Sequence, residues 1–299
     1  MATIKSWVHA ARLRTLPLAL ASIAMGGFVA AGDAGFSLLP VFLAGLTTLL
    51  LQILSNFAND LGDAQSGIDN HRRIGPSRMV QTGAISHTEM KGAVMFVSAL
   101  ALVSGLLLVF VAPSVNISGK LAMIAFGLAA IAAAIKYTIG SKPYGYIGFG
   151  DLFVFLFFGW LAVAGTFYLA TGHFEYQILL PASASGLLSA GVLNINNMRD
   201  MASDRFSGKR TLVVAMGYSK ALFYHAFLTL IPFALLAIYV NVRGLPLHTY
   251  GFLLLLPLFV YDLIKIFKSS GYENLDPFLK RLALKTLLLT VVFGVLQII

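Results

Sequence analysis

Two segments of this chain carry residues that could hold a hard cation against a phosphate. Residues 56–69 read N-F-A-N-D-L-G-D-A-Q-S-G-I-D, and residues 194–210 read N-I-N-N-M-R-D-M-A-S-D-R-F-S-G-K-R. Asn56, Asp60 and Asp63 follow at i, i+4 and i+7, and Asn196, Asp200 and Asp204 at i, i+4 and i+8, so each set stands on one helical face. Asp69 falls on the opposite side of a continuous helix and joins the others only if the chain turns at Ser66-Gly67. Arg72, Arg73 and Arg78 follow the first segment, while Arg199, Arg205, Lys209 and Arg210 surround the acids of the second. Crowded carboxylates repel one another, and hard cations relieve that repulsion. Mg²⁺ takes carboxylate oxygens and substrate phosphates while keeping some of its waters. A diphosphate bridged by Mg²⁺ and clamped by Arg and Lys leaves readily, because its charge is neutralised where it develops. One Asp at a helix end is usually an ordinary charge beside a membrane. Five in two segments, each segment led by Asn and followed by basic residues, ask for a chemical role.

The elements that carry these stripes must lie in lipid. The 299 residues are 58% hydrophobic and 11% charged, against about 25% charged in a soluble domain. Crossing the hydrocarbon core takes about 20 apolar residues, and runs of that length recur throughout. Apolar runs and their breakers predict nine helical spans, at about 16–31, 36–57, 89–112, 121–139, 149–170, 178–193, 221–240, 250–267 and 282–299. The two Asp-rich segments are then expected largely as connections beyond the ends of the second and sixth spans. Ser86-x-x-Glu89 reads as a capping box that starts the third.

With the N-terminus cytoplasmic, 19 of the 21 basic residues fall on that side, leaving Lys120 and Arg243 opposite. The partition supports the span count and the orientation, and it accounts for the net charge of +9 without a nucleic acid. It sets both Asp segments at the cytoplasmic face of a multi-pass protein, with Asp33 and Glu175 alone among the acids on the far side. The absence of Cys excludes disulfides, thiolate metal sites and thiol nucleophiles. Asn56 and Asn196 lie 140 residues apart, and each segment is followed by a basic residue, a short apolar stretch and a new helix start. The chain therefore reads as one domain, 1–299, with a weak internal duplication into halves of about 11–140 and 141–299.

At these segments the sequence resembles the UbiA-type intramembrane prenyltransferases, and within them the branch acting on 1,4-dihydroxy-2-naphthoate. N-x-x-N-D-L-G-D-x-x-x-G-x-D at 56–69, R-I-G-P at 73–76, and N-N-x-R-D-x-x-S-D-R at 196–205 with G-K-R-T-L-V-V at 208–214 carry the likeness. K-P-Y-G-Y-I-G-F-G-D at 142–151 and A-R-L-R-T-L-P at 11–17 extend it, so that it covers 11–214. The resemblance implies nine helices around a central cavity, two Mg²⁺ ions and a polyprenyl diphosphate donor. It implies Asp60, Asp63, Asp200 and Asp204 as catalytic acids, and these with Asp69 and Asn196 as metal ligands. Asn56, Asn59, Arg72, Arg78, Lys142, Tyr144, Asp151, Asn196, Asn197, Arg199 and Lys209 are the candidates for substrate contact. Asp151, at the membrane end of a very apolar helix, is costly there without a partner. Arg12 and Arg14 read better as lipid-headgroup anchors than as ligands of an aromatic carboxylate. Phe153, Phe155, Phe157, Phe158 and Trp160 suit a lipid face or core, with some free to line a prenyl tunnel.

The implied reaction is electrophilic substitution on an electron-rich ring. The diphosphate is drawn from an allylic chain, and the acceptor carbon attacks what remains. With dihydroxynaphthoate the carboxyl group leaves as CO₂ and demethylmenaquinol forms. Sister enzymes that use 4-hydroxybenzoate or haem would share the metal site. A CDP-alcohol phosphotransferase would keep its acids in one contiguous motif, and a cation transporter would place them mid-span.

Overall fold

The computed structural model describes residues 2–67, 77–269 and 272–299, so the candidates Asp69 and Arg72 lie outside the described residues. Among the described residues there are helices and no strands, and nine helices are long and apolar enough to cross a membrane. In lipid a backbone must satisfy its own N–H and C=O groups, and a helix does so within one segment. A short amphipathic helix, α1 (Ile4–Ala11), is capped by Thr3 and leads through a 3₁₀ turn into α2 (Leu16–Ala30), with Pro17 in its first turn. There follow α3 (Leu38–Gln65), α4 (His87–Val111), α5 (Ile117–Lys136) and α6 (Gly150–Thr171). The second half holds α7 (Leu179–Phe206), a single turn α8 (Leu212–Met216), α9 (Tyr218–Val242), α10 (Leu247–Phe267) and α11 (Asp276–Ile298). The expected capping box forms: Ser86 Oγ accepts from the Glu89 N–H at 3.2 Å, and the Ser86 N–H donates to Glu89 at 2.9 Å.

The span predictions fail informatively at two places. α3, expected to end near 57, runs to Gln65, and α7, expected to end near 193, runs to Phe206. Asp60, Asp63, Asp200 and Asp204 are therefore helical rather than set in loops. Apolarity stops at the first polar residues, but helical hydrogen bonding does not depend on it. Each helix ends only at a Ser-Gly pair, where Gly67 (φ 63°) and Gly208 (φ 77°) take the left-handed conformation that glycine supplies cheaply. α3 and α7 each have 28 residues, run in the same direction, and bring their C-terminal turns to one end of the bundle.

α7 is the most enclosed helix, packed by α6, α9 and α11. The middle of α6, Phe155–Ala164, widens into a π-helix. It presses on α7 so closely that a Cβ on Gly159 would stand 2.6 Å from the Ala182 carbonyl oxygen and 2.9 Å from the Gly186 Cα. Small residues at such crossings let helices associate in lipid. α5 is the opposite case, with only Ala130 and Ala133 buried. Its ends touch the α6 region, through Tyr144 on the Ala133 carbonyl at 2.9 Å and through Met123 beside Gly165. Between these ends, at Gly127, no atom approaches within 4 Å of where a Cβ would be.

Candidate metal–diphosphate site

α2 to α7 enclose a cavity of about 350 Å³. Its polar mouth lies between the C-terminal turns of α3 and α7. From α3 come Asn56, Asn59 and Asp63, and from α7 come Asn196, Asp200, Ser203 and Asp204. Arg78, Tyr144, Lys209 and Arg12 also line it. Away from the mouth the wall is mainly apolar, with Phe153, Phe157, Phe158 and small residues such as Gly105, Gly127 and Ala130, and a few hydroxyls such as Thr47 and Thr166. Ala44 and Asp63 both line it nineteen residues apart on α3, about 28 Å of helix.

The mouth is dense in charge. Arg78 Nη2 and the Tyr146 hydroxyl both donate to Asp63. Burial first, then the neighbouring Asp63 carboxylate, pushes the Tyr146 phenol far above its ordinary range, so it stays a neutral donor. On α7, Arg199 grips Asp200 with Nε at 2.9 Å and Nη2 at 2.7 Å, and Nη2 also donates to Asn196 at 2.9 Å. Lys209 Nζ stands 3.6 Å from Asp204 and 5.4 Å from the centre of the Tyr146 ring. Asp63, Asp200 and Asp204 are all buried.

The stripe on α7 is as the spacing predicts, and the stripe on α3 is turned. The cavity face of α3 centres on Gln52, Asn56, Asn59 and Asp63, and Asp60 lies about 40° round the helix from Asn56 at 100° per residue. Its two carboxylate oxygens accept instead from the backbone N–H groups of Met79 (3.0 Å) and Val80 (3.2 Å). Asp60 thus fastens the segment that carries Arg78. Four other candidates stand off the cavity wall. Lys142 is exposed. Asp151 is buried beside Tyr224. Asn197 is buried, and Arg199 acts behind Asp200 and Asn196.

Arg12 and Arg14, expected as headgroup anchors, both have contacts within the protein. Arg12 lines the cavity with a left-handed backbone, φ 50°, a conformation a non-glycine residue holds only at a cost. Arg14 pairs with Asp276 at 3.3 Å. Sequence reading missed Asp276 and the bond from Tyr146. Asp276 is 77 residues from Arg199, its nearest charged partner, and no spacing links the two. Tyr146 carried a signal in its place two residues after Tyr144 in a Gly-rich turn.

The donor set is suited to a hard cation, being carboxylate and amide oxygens at one mouth. Asp63 and Asp204 sit in the last turns of their helices, where the helix dipole is negative and a carboxylate is disfavoured. A bound cation removes that conflict.

A family model described as the UbiA prenyltransferase family matches residues 19–284. The 1,4-dihydroxy-2-naphthoate octaprenyltransferase of Haemophilus influenzae is 42% identical over 293 residues, covering 97% of this chain and 95% of that protein. Its namesake from Escherichia coli is 43% identical over 290 residues, covering 97% and 94%. Among solved structures, a UbiA homolog from Aeropyrum pernix shares the fold with a TM-score of 0.68 at 19% identity, over 96% of this chain and 98% of that one. A UbiA homolog from Archaeoglobus fulgidus bound to GPP and Mg²⁺ gives 0.60 at 21%, over 96% and 99%.

Proposed function

This chain belongs to the UbiA prenyltransferase family, and from that premise we propose how its cavity transfers a polyprenyl chain from its diphosphate to 1,4-dihydroxy-2-naphthoate. The acceptor loses its carboxyl group as CO₂, and demethylmenaquinol of menaquinone biosynthesis is formed. The observation that carries this reading is the convergence of Asp63, Asp200 and Asp204 at the polar mouth of a mainly apolar cavity.

Asp63 with Asn59, and Asp200 and Asp204 with Asn196, would hold Mg²⁺, one ion on each stripe. When bound, Mg²⁺ neutralises the charge that gathers on the departing diphosphate. Arg78 and Lys209 add fixed positive charge at the same mouth, and Tyr146 holds the Asp63 carboxylate in place. Such prearranged charges lower the barrier because they need no reorganisation as the C–O bond breaks. The aromatic faces of Phe153, Phe157 and Phe158 line the path of the chain and keep water from its cationic carbon. Arg12 reaches the same mouth from α1, placed to meet the acceptor's carboxylate. We read the mouth as facing the cytoplasm and the membrane as the bacterial inner membrane. No side-chain nucleophile is required.

The competing reading is a sister enzyme acting on 4-hydroxybenzoate. Purified protein given octaprenyl diphosphate and equal amounts of both acceptors should prenylate dihydroxynaphthoate and release CO₂. Preferential prenylation of hydroxybenzoate would reverse the assignment.

A further inference from the structure

We infer that Asp276, at the start of α11, is a positioning residue that keeps Asp200 able to bind a cation, acting through Arg199. The inference rests on the proposed metal site and concerns a residue that does not line the cavity.

Arg199 is 1% exposed and has its fork on Asp200, with Nη2 shared to Asn196. A bidentate Arg–carboxylate pair is strong and directional. Taken alone it works against the site, because a buried guanidinium spends its whole charge on a carboxylate meant for a metal. The remaining guanidinium nitrogen, Nη1, donates to Asp276. Arg199 is thereby divided between two carboxylates, and the three groups together keep one negative charge facing the mouth. Asp276 sits in the first turn of α11, where the helix dipole favours an anion, so its charge is secured without a second strong partner. Its other cation, Arg14, is more distant at 3.3 Å, and both of those side chains are partly exposed, which makes that pair weak.

The consequence is directional. Removing the charge of Asp276 leaves Arg199 wholly on Asp200 and Asn196, and cation affinity falls. The first stripe has a different arrangement, with Tyr146 and Arg78 both on Asp63, so the dependence on Asp276 belongs to the α7 side.

The test compares wild type with Asp276→Asn, Asp276→Glu and Arg14→Gln in detergent, following Mn²⁺ binding by the EPR signal of the free ion. Outer-shell partners of metal ligands commonly set affinity by about 10-fold or more. We expect Asp276→Asn to bind Mn²⁺ about 10-fold more weakly, at the low end of that range. Its Mg²⁺ requirement for turnover should rise in parallel, while kcat at saturating Mg²⁺ largely returns. Asp276→Glu keeps the charge and should recover Mn²⁺ affinity. Arg14→Gln leaves the Arg199 contact intact and should bind Mn²⁺ as wild type does. Undiminished Mn²⁺ affinity in Asp276→Asn overturns the inference, as does equal weakening in Arg14→Gln. If Asp276→Asn does not melt cooperatively, Asp276→Glu decides: a folded variant with wild-type affinity supports the role, and one with affinity lost refutes it. A wild type that neither binds Mn²⁺ nor turns over would instead remove the proposed function beneath it.

Discussion

At the scale of single residues, the acids divide by what their oxygens touch. Asp63, Asp200 and Asp204 face the cavity mouth, whereas both oxygens of Asp60 hold backbone N–H groups of the segment beginning at Arg78. Replacing any of the first three by Asn keeps size but removes a charge from the proposed cation site. Steady-state turnover with both substrates saturating should fall by about 100-fold or more, the scale of losing one prearranged electrostatic contact. Asp63→Asn and Asp200→Asn should also lower the melting temperature, since each leaves a buried guanidinium, Arg78 or Arg199, without its carboxylate. Asp60→Asn should differ in activity, losing stability by about 1–3 kcal/mol as two buried N–H groups lose a charged acceptor, with a smaller fall in kcat than Asp63→Asn. Equal kcat losses at Asp60 and Asp63, with melting unchanged, would contradict that division. The sequence made residue types and spacing legible, and it placed the α7 stripe well. It did not reveal which edge of α3 meets the cavity, because Asn56, Asn59, Asp60 and Asp63 all lie within one third of the helix circumference. Nor could it show that Arg14 and Arg199 share Asp276, since both contacts join distant parts of the chain.

At the scale of elements, apolar runs located the helices but understated the two that matter most. α3 and α7 project beyond their apolar stretches as polar helical turns, so the acids inherit the rigidity of a spanning helix. Their equal lengths and matching Ser-Gly ends support the internal duplication that we propose for the chain. The π-helical middle of α6 had no sequence signature, although Gly159 and Gly186 are what allow it to press on α7. Gly186→Val should drive a side chain into the Phe155 carbonyl, whose oxygen would stand only 2.7 Å from the new Cβ. Overpacking of this kind costs about 1–3 kcal/mol, and it should displace α7 enough to lower kcat along with melting temperature. Gly45→Ala, in open space on α3, is the matched control and should leave both unchanged. A Gly186→Val protein that melted like the control would mean the α6–α7 crossing is looser than described.

At the scale of the whole molecule, the architecture sets a charged mouth at one end of a cavity about as long as a bilayer core is thick. On our proposal the donor's charged and hydrocarbon parts thus meet separate environments in one site. The basic-residue partition of the sequence supports our proposal that this mouth faces the cytoplasm. Because the chain has no Cys, Ser66→Cys offers a single reporter at the end of α3. A membrane-impermeant thiol reagent should label it in inside-out vesicles and leave it untouched in intact cells, and labelling from outside would reverse the topology. The central claim is that carboxylates on two helices act through a hard cation to release diphosphate in favour of dihydroxynaphthoate. Turnover of octaprenyl diphosphate and dihydroxynaphthoate by purified protein, measured as prenylated product in excess EDTA and again after Mg²⁺ is restored, tests it most directly. The account predicts that product formation stops with the chelator and returns with Mg²⁺ or Mn²⁺; undiminished turnover in EDTA would contradict it.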